Sequence, residues 1–168
     1  MKTLFLMRHA KSDWSDSSQS DFDRPLNKRG LADAPRLAAP LSIGGGLTDF
    51  VLSSPANRAR HTAELIIESG NLEVVLGFDE RLYLADSSTL SQVVRSADEG
   101  CESGLVVAHN PGMESWLADL SGCALRFPTA ALACVQLDIG RWADVVDGCG
   151  QLQWFVTPRL LKAMSVGD

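Results

Sequence analysis

Three short stretches of this 168-residue chain end an apolar run on residues able to handle an anion. In Leu4-Phe5-Leu6-Met7-Arg8-His9-Ala10-Lys11-Ser12 a histidine stands among cations. In Phe50-Val51-Leu52-Ser53-Ser54-Pro55-Ala56-Asn57-Arg58 an arginine follows a Ser-Ser-Pro joint. In Leu105-Val106-Val107-Ala108-His109-Asn110-Pro111 a second histidine closes the run. A protonated imidazole between Arg8 and Lys11 would be repelled, so those cations either are incidental surface charge or address a bound anion. Guanidinium groups grip phosphoryl oxygens through paired N–H donors. A neutral His9 could attack phosphorus through one ring nitrogen, provided an acceptor fixes the proton on the other. The sequence does not identify that acceptor. His109 would donate to the equatorial oxygens as charge shifts in the transition state. The plainer alternatives are a surface pair for Arg8 and His9, a helix-surface cation for Arg58 and a buried strand-end histidine for His109.

Elements that could bring these residues together are legible in the hydropathy pattern. Apolar, β-rich runs occur at about 3–8, 49–53, 73–76, 104–108, 132–138 and 151–157. Helical spacing separates them, in Leu31/Ala34/Ala38/Leu41, Ala59/Ala63/Ile66/Ile67, Leu90/Val93/Val94/Ala97 and Trp116/Leu117/Leu120. Pro35 and Pro40 can kink or end the first of these helices. Gly44-Gly45-Gly46 reads as a loop. The alternation predicts a three-layer α/β/α sandwich on a mostly parallel sheet, with an antiparallel part where the last two strands lack an intervening helix. At the second joint Ser54 is expected as N-cap with Pro55 opening the helix; at the third, Asn110 as N-cap with Pro111 opening it. Helices starting there would point free N–H groups at an anion. Ligands of an open α/β sheet bind beyond the carboxyl ends of its strands. If the three strands are parallel neighbours, Arg8, His9, Arg58 and His109 meet there, with Lys11 and Ser12 at the rim.

The bulk numbers narrow the function. Length suits a single domain over 1–168. A formal net charge of −6 argues against nucleic acid or an anionic membrane as the main partner. No apolar run approaches the roughly 20 residues of a bilayer span, and Arg8 and Lys11 interrupt any signal-peptide core, so a cytoplasmic location is expected. Cys101, Cys123, Cys134 and Cys149 have neither CxxC spacing nor a partner histidine at zinc-ligand distance, which predicts free thiols. His61, the third histidine, invites a three-histidine metal site. Asp13, Asp16, Asp21 and Asp23 read as a polar loop in which Arg24 and Lys28 could be paired.

Together the motifs resemble the histidine phosphatase superfamily, also called the phosphoglycerate mutase-like or RHG family. Arg8-His9-Ala10 resembles its Arg-His-Gly signature. Ser53-Ser54-Pro55 through Arg58, Thr62 and Ala63 resembles its second-arginine motif, and His109 its second histidine. The chain looks most like the SixA-type phosphohistidine phosphatases, which carry RHAKS, a segment like Asp21–Gly30 (DFDRPLNKRG) and a unit like Glu80–Ala85 (ERLYLA). Arg126-Phe127-Pro128-Thr129 also resembles a SixA-type segment, without an assigned role, and the family tends to carry glutamine at the position of His61, which implies packing or a hydrogen bond there and not a metal ligand. The resemblance covers nearly the whole chain. It implies phosphomonoester or phosphoramidate hydrolysis through a phosphohistidine on His9, with no metal or cofactor. Arg8, Arg58, His109, Lys11 and Ser12 are the implied substrate contacts.

One departure from the pattern bears on the substrate. Larger family members carry a glutamate general acid in the motif that resembles Glu80–Leu84, and here that position is Leu84. An alkoxide leaving group gains a factor of roughly 10²–10⁴ from such an acid, whereas an imidazole, with a pKa near ~6.5, can leave already protonated. Asp79, Glu80 or Asp86 could substitute. There is also little chain between Leu84 and Cys101 to build a lid. The expected substrate is therefore a phosphohistidine-bearing protein of phosphorelay or phosphotransferase type. The rivals are a small-molecule phosphomonoesterase of the same superfamily and a non-catalytic phosphate- or phosphoprotein-binding module. A mutase fits less well, because it needs a closed site to hold its intermediate.

Overall fold

The computed structural model of the protein describes residues 1–43 and 48–165. The glycine cluster at 44–46 lies outside them. Strands β1 (Lys2–Arg8), β2 (Phe50–Ser53), β3 (Leu76–Phe78), β4 (Ser103–Ala108), β5 (Leu132–Leu137) and β6 (Gly150–Val156) form one sheet in the order β3-β2-β4-β1-β5-β6. The first four run parallel, with β1 and β2 on either side of β4. The expected antiparallel part is β5 and β6, where only a 3-10 turn (Trp142–Asp144) separates the strands.

Alternate residues of the central strands feed two separate cores, one on each sheet face. Leu4, Leu6, Val106 and Val135 pack with Trp116, Leu117 and Leu120 of helix α5 (Gly112–Ser121) and with Leu90, Val93 and Val94 of α4 (Ser87–Val94). Phe5, Met7, Val51, Leu105 and Val107 pack on the other face with Ala59, Ala63 and Ile66 of α3 (Asn57–Gly70). Because both faces are covered, β4 is buried at every residue.

The helical pattern at 31–41 is broken around Pro35, while Pro40 lies within the first turn of the helix that follows. It forms α1 (Lys28–Asp33), a 3-10 turn (Ala34–Leu37) opened by Pro35, and α2 (Ala38–Ile43). The strand expected at 73–76 forms later, as Leu76–Phe78, in register with Val51–Ser53. A last helix, α6 (Pro158–Met164), opens on Pro158 behind a Thr157 cap.

Both proline joints differ from expectation. α3 begins at Asn57, two residues after Pro55, and Ser54 does not cap it. α5 begins at Gly112, with Pro111 at the cap position, and the Asn110 amide donates to the Phe127 carbonyl at 3.0 Å. Asn110 is claimed by a longer-range partner, and Ser54 Oγ is shared between a distant side chain and the Ala56 N–H ahead of the helix. Two amides at the start of α3 are also taken: Asn57 N–H donates to the Phe22 carbonyl and Ala56 N–H to Ser54 Oγ.

Candidate active site

The parallel order β2-β4-β1 brings the three strand ends to one edge. Beyond the strands the pairing continues for one residue, His9 N–H donating to the Ala108 carbonyl at 3.0 Å and Ser54 N–H to the Val107 carbonyl at 3.0 Å. The edge holds His9, Arg58 and His109 together, all buried, with ring centroids of the two histidines 5.0 Å apart. A cavity of about 230 Å³ opens above them, walled by Arg8, His9, Lys11, Ser12, Arg58 and His109. Every residue expected at the site from the sequence therefore borders one space. Trp14, Asp21, Leu84, Asn110 and Thr129 border it as well.

The acceptor that the sequence left unidentified is the Ala10 carbonyl, 2.7 Å from His9 Nδ1. A carbonyl only accepts, so Nδ1 carries the proton and Nε2 keeps its lone pair. Nε2 receives Arg58 Nε–H at 3.2 Å. Burial, with Arg58 and Arg8 nearby, outweighs the Ala10 hydrogen bond and lowers the His9 pKa to about 4, so the ring is neutral at pH 7. Ala10 is itself fixed, its N–H donating to Thr62 Oγ1 at 3.0 Å.

His109 is set by a residue the sequence misassigned. Ser54 Oγ lies 2.8 Å from His109 Nε2, and Arg58 Nη2 donates to Nδ1 at 3.3 Å. Burial first, then the neighbouring His9 and Arg58, lowers its pKa to about 3. In this arrangement Nδ1 accepts, so donation from it to a phosphoryl oxygen requires a second proton or the other tautomer. The Ser54 hydroxyl can serve both, because it donates as readily as it accepts.

Arg8 is anchored by one end only. Nη1 donates to the Phe127 carbonyl at 2.9 Å, while its buried Nε has no partner. The Phe127 N–H in turn donates to Glu114 Oε1 at 2.9 Å, which gives the 126–129 segment a positioning part unreadable from sequence.

The larger omission is Asp21, read as part of a polar loop. The loop is closed by the Ser12–Leu26 bridge and stitched to α3 through Asn57. It lays Asp21 on Arg58. The Asp21 backbone carbonyl accepts Nη1–H, and its carboxylate accepts Nη2–H at 2.9 Å and the Tyr83 hydroxyl at 2.7 Å. Arg24 approaches the other carboxylate oxygen at 3.6 Å. Burial alone would raise the Asp21 pKa, but the Tyr83 hydrogen bond and the Arg58 and Arg24 charges prevail and lower it. Asp21 is ionised at pH 7.

The carboxylates proposed as substitutes for the missing acid do not reach the cavity. Asp79 and Asp86 cap helical turns, Asp79 also pairs with Arg81, and Glu80 is exposed. Leu84 does line the cavity. His61 does not, and no group of three or more His, Cys, Asp or Glu among the described residues is placed to hold a metal ion. No helix among them is long and apolar enough to cross a membrane.

Neutral, pinned imidazole beside converging guanidinium donors, at the carboxyl edge of an open α/β sheet, is chemistry suited to a tetrahedral oxyanion. Comparison with known proteins gives the same class. Residues 4–83 match the model of the histidine phosphatase superfamily, branch 1. An uncharacterized protein of Mycobacterium tuberculosis is 34% identical over 164 residues, covering 91% of this chain and 100% of that one. A chloroplastic uncharacterized protein of Arabidopsis thaliana is 31% identical over 91% of this chain and 74% of its own. The structure of the protein histidine phosphatase SixA complexed with tungstate superposes with a TM-score of 0.80 at 28% identity, over 95% of this chain and 99% of that one. The chain belongs to the histidine phosphatase superfamily, and its enzyme class is phosphatase, a hydrolase.

Proposed function

We propose that this phosphatase removes the phosphoryl group from a phosphohistidine carried on another protein, through a covalent phosphohistidine on its own His9. His9 Nε2 attacks phosphorus, and the P–N bond of the substrate breaks with its electron pair going to the departing imidazole. Water then hydrolyses the enzyme's phosphohistidine to phosphate and restores neutral His9. Arg8 and Arg58 hold the non-bridging oxygens. His109 takes up a proton as the anion arrives and donates to an oxygen that gains charge.

The observation that carries the substrate class is the make-up of the cavity wall. Leu84 stands there, and the one carboxylate among the described lining residues, Asp21, is held ionised. An ionised carboxylate cannot protonate an alkoxide, whereas an imidazole needs no such donor. The likeness to a protein histidine phosphatase supports the same reading. So does the shape, an open rim where Trp14 and Leu84 are 64% and 56% exposed.

Two measurements test it. Quenching during turnover should trap an acid-labile, alkali-stable phosphoenzyme that His9→Ala abolishes. No adduct from an active enzyme would overturn the covalent route. Comparing kcat/KM on a histidine-phosphorylated protein and on sugar phosphates should favour the former by at least the factor of about 10² that a missing acid costs an ester. A preference for the sugar phosphates would move the enzyme to the phosphomonoesterase reading.

A further inference from the structure

The four residues proposed to handle the phosphoryl group account for Arg8, His9, Arg58 and His109 but leave Asp21 unexplained. Its placement is unfavourable at first sight. A negative charge contacts the arginine that must grip a phosphoryl oxygen, and like charges at short range repel. The loop nevertheless builds the contact deliberately, with Tyr83, Arg58 and Arg24 all directed at one carboxylate. Two of those contacts fall on Oδ2, while Oδ1 has only the 3.6 Å approach of Arg24. The side chain is 41% exposed, so Oδ1 retains capacity for a further donor arriving from solvent.

We infer that Asp21 sets the leaving-group preference of the site, by accepting a hydrogen bond from the far ring nitrogen of a substrate phosphoimidazole. This rests on the phosphohistidine reading above and gives it a residue. A phosphorylated imidazole carries phosphorus on one nitrogen and can carry a proton on the other. Protonation makes the ring cationic and the P–N bond easier to break. On attack by His9 Nε2 the electron pair of that bond goes to the departing nitrogen. The far nitrogen keeps its proton, and the group leaves as neutral imidazole. An ionised carboxylate beside the far N–H favours the protonated ring before the bond breaks. The same charge works against an ester: an alkoxide has no proton to offer, and its developing negative charge faces Asp21. It also weakens the hold of Arg58 on a phosphate dianion, since carboxylate and phosphate compete for Nη2. Leu84 withholds an acid from esters, and Asp21 supplies a counter-charge to imidazolium. Both select nitrogen over oxygen.

Asp21→Asn tests this with little change of shape, because the amide oxygen can still accept from Tyr83 and Arg58. Activity is to be compared on phosphoimidazole and on p-nitrophenyl phosphate, alongside the inhibition constant for inorganic phosphate. The expected result is a fall on the order of tenfold or more in the ratio of kcat/KM for phosphoimidazole to that for the aryl ester, with tighter phosphate inhibition. Tyr83→Phe, which keeps the charge, should retain the preference for phosphoimidazole. An equal fall on both substrates with weaker phosphate inhibition would show that Asp21 merely holds Arg58 in place, and the inference fails. It fails too if that ratio is unchanged. The underlying reading fails separately, if the unmodified enzyme turns over sugar phosphates better than a histidine-phosphorylated protein. A melting curve superposable on the parent's confirms that Asp21→Asn is folded.

Discussion

At the scale of single residues, the two histidines spend stability on being neutral. Burial lowers His9 to about 4 and His109 to about 3, while an imidazole in the unfolded chain titrates near ~6.5. Between those values the unfolded state binds more protons than the folded one, so stability rises with pH. It is fully present above about 6.5 and is lost as pH falls through the window towards 4 and then 3. The urea midpoint should therefore drop between pH 7 and pH 5. His109→Asn, which has nothing to titrate there, should show a shallower drop. An equally steep drop in that variant would locate the pH sensitivity elsewhere. The sequence made His9 and His109 visible as types, since each ends an apolar run. It did not reveal their hydrogen-bond partners. Ala10 offers the nearest carbonyl to His9 for reasons of backbone path, and Ser54 lies 55 residues from His109 in the chain.

At the scale of elements, the loop between β1 and α1 has the largest effect on the site. Asn27 caps α1 by accepting Gly30 N–H at 2.9 Å, and Asn27 N–H returns a bond to the Lys11 carbonyl at 3.0 Å. The helix is thereby drawn so close to residue 11 that a Cβ on Gly30 would stand 2.2 Å from the Lys11 carbonyl oxygen. That neighbour is backbone and cannot swing aside. Gly30→Ala should cost about 1–3 kcal/mol, read as a lower urea midpoint. It should also weaken activity, because the same loop carries Asp21 and the rim residues Lys11 and Ser12. A variant as stable as the parent would show that the loop yields easily. Reading Ser54 and Asn110 as caps failed for one shared reason. A hydroxyl or amide beside a helix start can serve the helix or a distant partner, and here the distant partners, His109 and the Phe127 carbonyl, were already packed in place.

At the scale of the whole molecule, sheet order decides whether a site exists. β1, β4 and β2 are separated by long stretches of chain, yet they are neighbours, and their ends deliver Arg8, His9, Arg58 and His109 to one cavity. Helix α6, whose Leu161 packs against the core, is also tied to α1 by a buried carboxylate. Asp33 of α1 is 3% exposed at its side chain and meets Lys162 of α6 at 2.6 Å and Arg29 at 3.2 Å. Both cations are partly in solvent, so neither pairing has the full weight of a buried ion pair. Lys162→Met should cost about 1–2 kcal/mol, seen as a lower melting temperature, with catalysis unaffected since α6 contributes nothing to the cavity wall. No change in melting would mean that Arg29 alone satisfies Asp33.

The sequence by itself determined the layered α/β class, the antiparallel last pair and the broken first helix, because each follows from neighbours a few residues apart. It also determined the residue types at the three strand ends, and a leucine at position 84 of the cavity wall. Only the tertiary structure decided which nitrogen of His9 keeps its lone pair, which hydroxyl orients His109 and which carboxylate meets Arg58. The His9 bond goes to the next residue, whose carbonyl the backbone path alone aims at the ring. The other two join positions 55 and 37 residues apart. For Ser54 and Asp21 the local option, a helix cap or a solvated loop, was chemically possible, and packing chose against it by fixing a distant partner within hydrogen-bond reach.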